Sequence, residues 1–63
     1  MKINKIKMQV IVHKFNNRLT NIGLSTELVI KEIYGPINTK QKKQLMVVLS
    51  EVKKMKNLLK TLN

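Results

Sequence analysis

Tyr34-Gly35-Pro36-Ile37-Asn38 contains the only proline and one of the two glycines of this 63-residue chain, and it divides two stretches with the same kind of apolar rhythm. Before it, Met8, Ile11, Phe15, Leu19, Ile22, Thr26, Val29 and Ile33 fall three or four residues apart, which predicts one helix over about residues 5–34. After it, Leu45, Val48, Val52, Met55, Leu59 and Leu62 repeat the pattern, with Leu49 beside them, and predict a second helix over about residues 39–62. Glycine can take the left-handed conformation that closes a helix, and a proline just beyond it prevents continuation, so the chain turns at residues 35–38. Asn38 followed by Gln41 has the form of a capping box, with Thr39 as the alternative N-cap. Gly23, inside the first helix, costs about 1 kcal/mol relative to alanine without ending it.

Two amphipathic helices joined by a short turn form an antiparallel hairpin, and neither apolar stripe fully covers the other. A chain this short needs a disulfide, a metal or a partner subunit to complete its core. There is no cysteine, and one histidine with Glu27, Glu32 and Glu51 scattered along the chain makes no closely spaced metal site. The expected fold is therefore all-α: an antiparallel two-helix hairpin that homodimerises into a four-helix bundle. Phe15, Leu19, Ile22, Leu45, Val48, Leu49, Val52, Met55 and Leu59 are its expected dimer core, with the methionines filling gaps. The whole chain reads as one domain. Its longest apolar run, residues 45–49, is far short of the roughly 20 residues that cross a bilayer. The start is basic but has no cleavage site, so a cytoplasmic protein is expected.

The only histidine lies in the first helix. At 3.6 residues per turn, His13 is about 200° from Phe15, so its imidazole should face away from the apolar stripe. A neutral imidazole is a nucleophile, and an outward one is a candidate phosphoryl acceptor. Ile6, Val10, His13, Asn17, Thr20, Leu24 and Leu28 share its stripe, polar in the middle and apolar at the ends. Two readings of that stripe stand side by side. Ile6, Val10, Thr20, Leu24 and Leu28 either dock a partner helix or widen the dimer core. Thirteen Lys and Arg against three acids give a net charge of +10, a field that favours anionic partners or simply keeps the protein soluble.

The string His13-Lys14-Phe15-Asn16-Asn17-Arg18-Leu19-Thr20, with Ile22, Glu27 and Leu28 further on, resembles the H-box of sensor histidine kinases. Tyr34-Gly35-Pro36-Ile37-Asn38, then Lys40-Gln41 and a leucine-rich helix, looks like the turn and second helix of the same dimerisation and histidine-phosphotransfer domain. The likeness extends over nearly the whole chain. It implies a homodimeric four-helix bundle in which His13 accepts a phosphoryl group and passes it to the aspartate of a response-regulator receiver. Asn17, one turn later, matches a position that helps to orient water during dephosphorylation, and Leu24 and Leu28 match the region near which receivers dock. No cofactor is implied in the chain itself, and Mg2+ would enter only with a receiver.

Two departures shape the expected function. Lys14 stands where the family carries Asp or Glu, and a cation there cannot serve as a base, although Lys14 and Arg18 can stabilise phosphoryl charge. Nor do these 63 residues contain a glycine-rich ATP-binding domain, so kinase activity of the chain by itself is not expected. What remains is a small dimeric signalling modulator that binds a sensor histidine kinase or a response regulator, with phosphotransfer through His13 as a further capacity. From another class, the hairpin resembles in architecture the plasmid repressor-of-primer protein, an RNA binder. On that reading Lys5, Lys14, Asn16, Asn17, Arg18 and Lys31 contact phosphates and bases. A basic helix lying on an anionic membrane is a third reading, weakened because the second helix already offers a core partner.

Overall fold

A computed structural model describes residues 4–62 as two long helices packed side by side, α1 (Lys5–Ile30) and α2 (Thr39–Lys60). The basic start runs from residue 1 to residue 7, and residues 1–3 of it lie outside the described residues. Both helices begin on asparagine. Asn4 caps α1, its side-chain oxygen accepting from the Lys7 amide at 2.8 Å. Asn38 caps α2 in a complete capping box: the Gln41 amide donates to the Asn38 side chain at 2.7 Å, and the Asn38 amide donates to the Gln41 side chain at 2.9 Å. Between the two candidates Asn38 and Thr39, the cap is Asn38.

The first helix stops four residues before the expected boundary. Ile33 donates its amide to the Leu28 carbonyl at 3.2 Å and Glu32 donates to Val29 at 3.0 Å, the paired bonds of a Schellman ending. The left-handed residue in it is Glu32, at φ 61°, not Gly35. A side chain in that conformation costs about 1–2 kcal/mol, and the carboxylate offers a compensating bond by accepting from the Ile37 amide at 3.2 Å. Gly35 serves the next reversal instead, at φ 137°, where only glycine sits without strain. The last residues of α2 also tighten: Thr61 and Leu62 form a turn rather than extending the helix.

The line where the helices meet follows a seven-residue step on each. Val12, Leu19 and Thr26 are buried on α1, facing Val52, which is buried on α2, and Leu45 and Leu59, which are half-buried. A repeat of seven keeps one stripe of each helix facing the other. Gly23 lies on this line: a β-carbon there would sit 3.6 Å from Val52 Cγ1, an ordinary packing distance. Thr26 buries its hydroxyl without loss because Oγ1 donates to the Ile22 carbonyl at 2.8 Å.

Two helices alone leave most of the apolar surface in water. Among the described residues three hydrophobic side chains, Val12, Leu19 and Val52, are buried, whereas fifteen large ones are exposed. The hairpin is a rod of 47 × 17 × 16 Å with a radius of gyration of 14.9 Å, against about 11 Å for a compact domain of this length. No helix among the described residues is long and apolar enough to cross a membrane.

Candidate functional site

The interhelical line organises the rest of the surface, because it divides the hairpin into two broad faces. Its centre on α1 is Val12, three residues from Phe15 and so about 60° away around the helix. Phe15 is consequently half in solvent, 52% exposed, and belongs to one face rather than to the seam. His13, one residue from Val12, lies about 100° from the seam and edges the opposite face.

On the His13 face, the imidazole and the Asn17 side chain are both exposed, one helical turn apart, with Asn17 Nδ2 3.4 Å from His13 Nε2. The amide donates to Nε2 when that nitrogen carries its lone pair, a long and therefore weak contact. Thr20, the next residue of the stripe, turns its hydroxyl onto the Asn16 carbonyl at 2.9 Å. Ile6, Val10, Leu24 and Leu28 are exposed along the same stripe, so a single hairpin leaves them uncovered.

Cations flank His13 on both sides. Away from α2, Lys14 and Arg18 line a shallow groove of about 350 Å³ with Asn17 and Asn21. Toward α2, His13 lines a groove of about 310 Å³ with Gln9, Val12, Asn16, Lys56, Leu59 and Lys60. Asn16, Lys56 and Lys60 continue from it into a second cleft that adds Lys53 and Asn57. The α2 lysines next to the histidine were not among the residues the sequence suggested. Their steps of three and four, 53, 56 and 60, were a visible signal of one helical stripe. What the sequence lacked was the antiparallel register that sets this stripe beside His13. Further toward the turn the same face becomes more apolar, where Thr20, Gly23 and Leu24 meet Leu49, Val52 and Lys53.

The other face is apolar. Met8, Ile11, Phe15, Met55, Leu58 and Leu62 enclose with the seam residues a groove of about 250 Å³ that has no polar lining. The residues expected to form a dimer core therefore fall in different places. Phe15, Ile22, Val48 and Met55 are exposed; Leu19 and Val52 are buried within the hairpin; Leu45 and Leu59 are half-buried along its seam. Leu49 is half-buried too, but it faces the His13 side, near Leu24.

Of the basic residues suggested for nucleic-acid contact, Lys14 and Arg18 come together with Asn17, and Asn16 belongs to the α2 groove. Lys5 starts α1 and Lys31 follows its last turn, at opposite ends of the helix. No protein-family model matches this chain, and no curated protein or solved structure does either.

Proposed function

We propose that this chain acts as a homodimeric hairpin, similar to the dimerisation and histidine-phosphotransfer domain, that modulates a two-component pathway in the cytoplasm. It does so by occupying a sensor histidine kinase or a response regulator. The observation that carries the reading is the exposed pair His13 and Asn17, 3.4 Å apart one turn from each other, on the face opposite the apolar groove. A partner that covers the apolar groove leaves this pair accessible, and a second copy of the chain is the partner proposed here. The exposed stripe of Val10, Leu24 and Leu28 is the surface offered to a regulator.

Phosphoryl transfer through His13 is the additional capacity. An imidazole nitrogen forms the N–P bond while the P–O bond of a receiver's acyl phosphate breaks, and the receiver's carboxylate leaves with the electron pair. Lys14, Arg18, Lys56 and Lys60 supply positive charge around the transferred group. Binding stands first because Lys14 cannot remove a proton.

The test incubates the purified protein with phosphorylated receivers and with sensor kinases, following acid-labile label and complex formation for the wild type and His13→Ala. Label on the wild type alone assigns the acceptor to His13. Binding without label, unchanged by the substitution, assigns the effect to occupancy. Neither label nor binding overturns the proposal.

A further inference from the structure

The lysines of α2 carry a separate inference, one that does not depend on the phosphorelay reading. Lys53, Lys56 and Lys60 stand along one side of α2, and at 1.5 Å per residue they spread over about 10 Å. Across from them on α1 are His13 and Asn16, and Asn57 lies among the lysines. No acid lines these two clefts. Among the described residues the one ion pair joins Lys54 to Glu51 at 3.5 Å and takes none of the three lysines, while the adjoining cleft toward the turn sets Glu27 beside Lys53 and Lys56 and closes the row at that end.

We propose that this groove is a track for the phosphodiester backbone of nucleic acid. A row of ammonium groups suits a ligand whose negative charges repeat along a line, and each phosphate contacted releases condensed counterions. The interleaved amides can donate and accept toward sugars and phosphates, contacts that position a strand without reading its sequence. The alternatives fit less well. An acidic protein surface presents its carboxylates at no fixed interval, whereas a phosphodiester backbone repeats its charge along a line, as the lysines of these clefts do. An anionic membrane calls for exposed apolar side chains among the charges, and the apolar residues that line these two clefts, Val12 and Leu59, are buried and half-buried in the seam. No aromatic residue lines the groove, so base stacking adds nothing and binding is independent of sequence.

The experiment measures fluorescence anisotropy of a labelled single-stranded RNA and of a duplex DNA of equal length, over a series of salt concentrations. It uses the full chain, the variant Lys53→Gln/Lys56→Gln/Lys60→Gln, and a control of equal net charge, Lys40→Gln/Lys43→Gln/Lys54→Gln. Circular dichroism checks folding, and Lys53→Gln/Lys60→Gln serves if the half-buried Lys56 proves necessary for it. The groove variant is expected to bind at least about tenfold more weakly than wild type, with a log–log salt slope shallower by about two to three units. The control should stay within about threefold of wild type. The strand type that binds more tightly identifies the source of the backbone. Equal loss in both triple variants would reduce the effect to net charge and overturn the groove. So would absent nucleic-acid binding at low salt, or flotation with vesicles of phosphatidylcholine and phosphatidylglycerol in its place.

Discussion

The two faces of the hairpin differ in kind although the same two helices make both. On one, Ile11, Phe15, Met55, Leu58 and Leu62 surround a groove without polar lining. On the other, His13 and Asn16 look across at Lys56 and Lys60. The seam between them, with Val12, Leu19 and Val52 buried, is shared. An apolar groove in water is favourable only when covered, and burial yields about 25 cal/mol per Å² of apolar area. A basic groove gains nothing from being buried, since desolvating unpaired ammonium groups is costly. The two faces thus have opposite demands: one asks for a hydrophobic partner and the other for water or an anion.

The sharpest way to break that contrast is Phe15→Asp. If a second copy covers the apolar face, the charge is buried without a partner. Sedimentation should then show monomer, with stability falling by about 3 kcal/mol. An unchanged Tm and an unchanged sedimentation coefficient would mean that the face stays open in solution, for Phe15 is 52% exposed in the single hairpin. Leu19→Ala attacks the shared seam instead. It should cost about 2–4 kcal/mol in urea unfolding whether or not a dimer forms, because Leu19 is buried within the hairpin. Gly23→Ala is expected to work in the opposite direction, raising stability by about 0.5–1 kcal/mol. The new methyl meets Val52 Cγ1 at 3.6 Å, so space is available, and a drop in Tm would show that the seam is tighter than this distance implies. The smallest effect belongs to the basic face. Lys53→Gln/Lys60→Gln should leave the Tm at moderate salt unchanged or slightly raised, since both residues are exposed and share a cleft with Lys56.

Much of the secondary structure was legible because it rests on local rules. The rhythm of apolar residues, the Gly35-Pro36 break and the Asn38/Gln41 pair each act within a few positions of the chain, and they placed both helices and the N-cap of α2. The end of α1 was less legible. The glycine at position 35 offered itself as the left-handed residue, yet Glu32 occupies that conformation and laces the turn through Ile37. Nothing in the order of residues marks a glutamate for this place, because the choice depends on how the turn must deliver α2 back onto α1.

The site divides along the same line. That His13 would be exposed, one turn from Asn17, followed from helical spacing within a single helix. The helix-to-helix seam did not follow. Ile11, Val12 and Phe15 are all apolar, and periodicity alone favoured the Phe15 stripe over Val12. Sequence by itself therefore determined the elements, their amphipathic character, the high positive charge and the outward histidine, all of which depend on residue type and on a period of 3.6. Only the tertiary structure decided which stripe each helix turns to the other, and with it that Lys56 and Lys60 stand beside His13. The physical reason is that packing acts between residues far apart in the chain, such as Gly23 with Val52 and Val12 with Leu59, where the rotation and register of two helices are set by how their side chains interlock.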